Sequence, residues 1–207
     1  MGPSQPRKSG PHGHCARYPD AVHMIYRTLF YFLRAKRGAK LHPHDVARLP
    51  LRVLPTDIDT LRHVNNGIYL SLMDLGRVDL LVRAGISSVF SRLGYYPVVS
   101  NETISFRRSL QPWQRFILET RLVGYDAKAV FVEQRFVVDG EIFATGFVRA
   151  RFLKKSGGTV SVAELADAIG IDPASLPVPE WLARWSADVA LPASRASAPS
   201  VWDDSPR

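Results

Sequence analysis

Two carboxylates, a histidine and two asparagines fall within ten residues of one another, in the stretch DIDTLRHVNN that spans residues 57–66. A third carboxylate, Asp74, and Arg77 follow on the next eleven residues, GIYLSLMDLGR. Asp57 and Asp59 bring groups that accept protons or attack an electrophile, and His63 brings one that moves a proton near neutral pH. Asn65 and Asn66 stand where a helix should begin, and asparagine is a preferred N-cap. A helix N-terminus presents unpaired N–H groups at the positive end of its dipole. Such donors suit the negative charge that develops on a carbonyl oxygen under attack. A carboxylate beside a helix start could therefore supply both parts of acyl transfer to water. Each residue also has an ordinary reading: Asp57 or Asp59 can brace a turn, His63 can be a bonded structural histidine, and Asp74 can simply pair with Arg77.

The elements needed to hold this stretch can be read on either side of it. A strand is expected at Leu51–Leu54 after a proline-punctuated connection from Leu41 to Pro50. The helix should run from about Asn66 to Arg83. It is apolar nearly all round, through Ile68, Tyr69, Leu72, Met73, Leu75, Leu80 and Leu81, which predicts a buried helix rather than a surface one. Gly76 would let a neighbour approach its flank, and Asp79 can pair with Arg83. Four β-rich runs follow, Tyr95–Arg108, Arg115–Val123, Ala129–Val138 and Glu141–Leu153. Asp139-Gly140 is a two-residue hairpin signal, and Gly124 to Ala127 should turn the preceding pair. One buried helix and at least four long antiparallel strands give an α+β class, with a curved sheet around the helix. Open sheet edges point to a homodimer or a higher homo-oligomer. Ser161 and Glu164 read as a capping box opening a short helix over 161–170, and Trp181 and Trp185 as part of another that docks on the core.

The run Asp57, Asp59, His63, Asn65, Asn66, Tyr69 and Arg77 resembles the signature of the 4-hydroxybenzoyl-CoA thioesterase-like branch of the hotdog superfamily. The wording TDIDTLRHVNN is most similar to the thioesterase superfamily member six group, and the resemblance covers roughly residues 45–155. It implies a hotdog fold and hydrolysis of acyl-CoA thioesters to a free acid and coenzyme A, with no cofactor and no metal. It further implies Asp59 as catalytic carboxylate, the Asn66 N–H as oxyanion donor and His63 near the thioester. Asn65 and Tyr69 would shape the loop or the acyl pocket. Asp57 and Asp74 stand as secondary candidates. The plant acyl-carrier-protein thioesterases look similar too, but their catalytic Asn is replaced here by Leu61. Arg107 and Arg108, or Lys128, could hold coenzyme A phosphates.

Composition sets the frame. The 207 residues carry a net charge of +8, and 46% are hydrophobic, enough for one domain with tails. Residues 1–55 hold ten basic and two acidic side chains, whereas the remainder holds seventeen of each. Basicity thus belongs to an N-terminal arm, which argues against a specific nucleic-acid interface on the core. The expected organisation is a disordered tail over 1–20, a basic amphipathic arm over 21–44, the thioesterase domain over 45–155, a helical extension over 156–190 and a disordered tail over 191–207. In the arm, Val22, Ile25, Leu29 and Phe32 form an apolar stripe and His23, Arg27, Arg34 and Arg37 a basic one. It could dock on the protein, touch an anionic membrane, or bind nucleic acid without specificity, in that order of preference. A single cysteine, Cys15, excludes an internal disulfide and fits a reducing compartment. No signal-peptide pattern, myristoylation pattern (Pro6 breaks it) or apolar run of membrane-spanning length is present, so a cytoplasmic protein is expected, with contact to the inner membrane face through residues 21–37. The clusters His12, His14, Cys15 and His42, His44 lack a full ligand set for a metal. Two other readings compete with hydrolysis: a non-catalytic acyl-CoA-binding or scaffold protein, and a dehydratase of the same fold.

Overall fold

The computed structural model describes residues 19–193 and 196–200, with side chains placed from residue 24 onward. His12, His14, Cys15, the side chains of Val22 and His23, and most of both expected tails lie outside the described residues.

The chain forms a six-stranded antiparallel sheet curled around one long helix. Helix α1 covers Pro19–Ala35 and strand β1 covers Ala47–Arg52. Helix α2, Asn66–Arg83, is followed by a short helix α3, Ile86–Leu93. Strands β2 (Tyr95–Phe106), β3 (Arg115–Tyr125), β4 (Val130–Val138) and β5 (Glu141–Lys154) then build the sheet. The two-residue strand β6 (Thr159–Val160), α4 (Val162–Ile169) and α5 (Glu180–Asp188) complete the described chain. Strand order is β1-β3-β4-β5-β2, with β6 paired to β5. β1 starts at Ala47, four residues before the expected Leu51 boundary, despite Pro50. It is an edge strand, where a missing ladder N–H is tolerated.

Burial explains the arrangement. Leu72, Met73 and Leu75 of α2 are fully buried against Leu118, Phe136 and Val148 of the sheet. Gly76 makes the close crossing possible: a Cβ there would lie 2.5 Å from Thr120 Oγ1 and 2.7 Å from Gln134 Nε2. Glycine inside a helix costs roughly 1 kcal/mol relative to alanine, and this contact is what that cost supports. The β4–β5 hairpin turns at Asp139 and Gly140 with φ of 49° and 82°, the positive pair that a tight two-residue turn needs.

A smaller core gathers Ile86 and Phe90 of α3 with Phe152, Val162 and Leu165. The sequence expectation had no counterpart to α3, whose eight residues are too few for periodicity to stand out. Ser161 caps α4 by accepting from the Glu164 N–H, but the Glu164 carboxylate turns away to Lys154 and the Tyr95 hydroxyl, so the capping box is only half formed. On α5, Leu182 is buried and Trp181 meets the Phe147 ring edge-on at 4.8 Å.

Helix α1 departs from the expected stripes. Its inward face is Met24, Arg27, Tyr31 and Ala35, and Arg27 and Ala35 are buried. Ile25 and Leu29, expected to pack inward, point outward. Arg27 is the reason: its guanidinium is drawn to a buried carboxylate, and that pairing sets the rotation of the helix.

Candidate active site

The loop between β1 and α2 is built as a small ladder. Ile58 and Val64 form an antiparallel bridge. On one side of it the Asp59 N–H donates to the His63 carbonyl at 2.9 Å, and on the other the Asn65 N–H donates to the Asp57 carbonyl at 2.9 Å. Arg62 closes the tip with φ of 64°, a left-handed conformation that a non-glycine residue adopts only under constraint. The constraint is Asp59, whose Oδ1 accepts from the Leu61 N–H at 2.8 Å and, more weakly, from His63 N–H at 3.5 Å. Its other oxygen, Oδ2, has no partner among the described residues. Asp59 as a whole is half-buried.

Asp57 plays a different part. It is fully buried, and each of its oxygens lies 2.9 Å from Arg27 Nη1. Oδ2 also accepts from the Leu54 N–H at 2.8 Å, while Arg27 Nη2 donates to the Arg52 carbonyl at 3.0 Å. One arginine from the arm thus ties the end of β1 to the loop. All of the Asp57 carboxylate is thus engaged within the protein, whereas Asp59 is engaged through one oxygen only.

Helix α2 begins with an open amide. Asn65 is its N-cap, accepting from the Gly67 N–H at 2.8 Å on Oδ1 and from the Ile68 N–H at 2.9 Å on its carbonyl. The Asn66 N–H donates to no group among the described residues. Asn65, Asn66 and Gly67 are exposed, and the first turn holds no acidic side chain to neutralise the dipole. Asp59 thus sits at the tip end of this small ladder and Asn65 at its other end, where α2 begins.

The other expected site residues divide. The His63 ring is half-buried and makes no hydrogen bond among the described residues, so it is available beside Asp59. Tyr69 is not available to a substrate. It is buried, its hydroxyl accepts from the Leu110 N–H at 2.9 Å, and its ring meets Phe106 and Phe136 edge-on. Burial raises its hydroxyl pKa above the ordinary tyrosine value. The Leu110 carbonyl in turn accepts from the Val64 N–H at 3.2 Å, so Tyr69 braces the loop from behind. Arg107 and Arg108 lie on the surface just past β2, three and two residues from Leu110. Arg107 is engaged with Glu141 at 2.5 Å, which holds that carboxyl below its ordinary range. Arg108 lies 5.8 Å over the Phe143 ring. His44 donates to or accepts from the Tyr125 hydroxyl at 2.9 Å and stacks edge-on with His42, a structural pairing.

Asp74 belongs to a second polar centre about two to three turns further along α2. It pairs with Arg77 at 2.5 Å and is largely exposed. Arg77 also donates to Gln134 Oε1 at 2.9 Å, and Gln134 Nε2 donates to the Met73 carbonyl and Thr120 Oγ1. Glu102 of β2 lies 3.9 Å from Arg77. Its Oε2 is buried without a hydrogen bond among the described residues, and burial raises its carboxyl above the ordinary value. Sequence reasoning missed Glu102 and Gln134. The signal was there in Gln134, a lone amide inside the apolar run VFVEQRFVV. Asp74 and Arg77 mark one side of a cavity of about 160 Å³ whose other walls are apolar, among them Leu81, Val99, Leu122, Val132 and Phe152. A larger open groove of about 540 Å³ lies away from the loop, between Tyr31, Arg52 and Arg115.

Comparison with known proteins gives the family and the fold. The profile of the thioesterase-like superfamily matches residues 53–186. The Protein THEM6 of Xenopus laevis is 40% identical over 99 residues, 48% of this chain and 48% of that protein. The chain thus spans about half the length of the curated relatives it matches. The crystal structure of the probable thioesterase YbaW from Escherichia coli superposes with a TM-score of 0.55 at 20% identity, covering 59% of this chain and 95% of that one. A gentisyl-coenzyme A thioesterase structure gives a TM-score of 0.54 at 17% identity, covering 58% and 99%. At these identities the likeness establishes the fold: a helix wrapped by a curled antiparallel sheet, the hotdog.

Proposed function

Because the chain belongs to the thioesterase-like superfamily, we propose that it hydrolyses acyl-CoA thioesters, with Asp59 as the reacting carboxylate and the Asn66 amide as oxyanion donor. The observation that carries this reading is the pairing of an unengaged Asp59 Oδ2 with an unengaged N–H opening α2, on two arms of one ladder. The thioester carbonyl would lie between them. Asp59 either removes a proton from the attacking water or attacks the carbonyl itself. In the first case a C–O bond forms to water as the C–S bond breaks, and the coenzyme A thiolate leaves to take up a proton. In the second, the acyl group passes to Asp59 as an anhydride, which water then cleaves. The negative charge on the carbonyl oxygen is met by the Asn66 N–H and the dipole of α2. His63, opposite Asp59 in the loop, would orient the water.

The substrate class follows the superfamily and the gentisyl-coenzyme A thioesterase among its structural neighbours. Arg108, which has no carboxylate partner among the described residues, is the candidate for a coenzyme A phosphate. The free edge of β2, with Tyr96, Val99 and Phe106 exposed along it, supports pairing of two copies through that strand.

Asp59→Asn is the test. Asparagine keeps an acceptor for the Leu61 N–H, so the loop holds, but it cannot act as base or nucleophile. Thiol release from a panel of acyl-CoA esters should fall about 10²–10⁴-fold, with melting unchanged. Undiminished turnover in this variant would overturn the assignment. Tight acyl-CoA binding without thiol release by the parent would favour an acyl-binding protein instead.

A further inference from the structure

We infer that α1 is a docking helix for an anionic lipid surface, its outward apolar face entering the headgroup boundary and its basic C-terminal end meeting lipid charge. The helix has two faces that the structure separates cleanly. Arg27, held by Asp57 and the Arg52 carbonyl, fixes the inner face and with it the outer one. On the outer face stand Ile25, Tyr26, Leu29, Phe30 and Leu33, each between 46% and 69% exposed. They recur at i, i+4 in two adjacent rows, so they form one continuous patch. Single exposed apolar residues are ordinary, but a continuous patch marks a surface that something covers.

Charge identifies the occupant. Arg34, Lys36, Arg37 and Lys40 are exposed at the C-terminal end of the helix. Lys36, Arg37 and Lys40 pair with no carboxylate among the described residues. Between Asp20 and Asp45 the sequence has no acidic residue at all. The same segment of a second copy would therefore offer this face no opposite charge, whereas an anionic bilayer offers both an apolar interior and negative headgroups. No described helix is long and apolar enough to cross a membrane, and α1 carries an exposed basic side chain, Arg34, in its last turn, next to Lys36 and Arg37. The helix lies in the plane of the surface. Docking itself is independent of hydrolysis; only its consequence, a thioester loop held beside the bilayer by Arg27 and Asp57, rests on the function proposed above.

The full chain should be sedimented with vesicles of phosphatidylcholine alone and with vesicles of phosphatidylcholine and phosphatidylglycerol in equal parts. It should pellet with the mixed vesicles, far less with the neutral ones, and be released by high salt. The double variant Leu29→Glu/Phe30→Glu should lower binding at least tenfold while the melting temperature holds. Lys36→Gln/Arg37→Gln changes only exposed residues and so remains decisive should the first variant not fold. Each basic residue near the surface contributes about fivefold, giving a loss of about 25-fold. Failure to pellet with mixed vesicles, or parental pelleting by the folded variants, overturns the proposal. So does light scattering that finds Leu29→Glu/Phe30→Glu converting an oligomer into monomers with no lipid binding by the parent. That result would make the face an interface between copies.

Discussion

Asn66→Pro removes one hydrogen atom from the proposed mechanism and almost nothing from the fold. Asn66 is the first residue of α2, the one helical position where proline is well tolerated, because the N–H it lacks is unpaired there in any case. The preceding residue must be extended, and Asn65 already is, with φ −58° and ψ 137°. The two bonds that cap the helix come from the Gly67 and Ile68 N–H groups, and neither is touched. Stability should therefore change by no more than about 0.5 kcal/mol. If the Asn66 N–H stabilises the oxyanion, its loss should lower kcat about 10²–10³-fold, or about 2.7–4 kcal/mol of transition-state energy. The interaction exists only in the transition state, so kcat and kcat/KM should fall together. Asn66→Ala is the control: it keeps the amide and should keep the rate. Thiol release under saturating acyl-CoA measures both. Parental kcat in Asn66→Pro would refute the reasoning, since the variant deletes the donor and little else.

Two further outcomes test the frame around the site. Arg27→Leu should leave the Asp57 carboxylate buried and unpaired and cost about 3–5 kcal/mol in denaturant unfolding, while Arg27→Leu combined with Asp57→Leu should recover much of that loss; equal losses in single and double variants would mean that the pair is not coupled. Glu102→Gln should raise the melting temperature at neutral pH. Burial raises the Glu102 carboxyl above its ordinary value of 4.5, so the folded state holds that proton more tightly than the unfolded chain. The penalty is absent below about 4.5, where both states are protonated, and grows as pH rises through the folded value; the advantage of glutamine should vanish in acid, and an advantage independent of pH would refute it.

Helix α2 and the four long strands could be read from the chain because their signals are local. The apolar surround of residues 66–83, the cap at Asn65 and the turn at Asp139-Gly140 each act within a few residues. The loop motif was legible for the same reason. What could not be read is what depends on residues far apart. Arg27 and Asp57 are 30 residues apart, and no periodicity in 21–37 says that an arginine turns inward. A stripe count favours Ile25 and Leu29 as the buried face. The ion pair outweighs it, because a carboxylate buried without a partner costs more than two exposed apolar side chains. Which of the two expected roles Tyr69 takes, loop or pocket, is hidden for a related reason: its bond to Leu110 crosses 41 residues and exists only once the sheet has closed. Glu102 escaped notice because a carboxylate on a strand ordinarily faces water, and only the packing of Arg77 against β2 takes it out of solvent.

The clasp between arm and loop has a consequence for how this protein can be divided. The superfamily match begins at residue 53, just after β1, which invites the view that the arm before the sheet is an accessory. Yet a fragment starting at residue 45 would carry Asp57 into its interior with no cation to meet it. The arm and the loop must therefore be inherited, engineered and expressed as one unit, and a change at either position is tolerable only in company with the other.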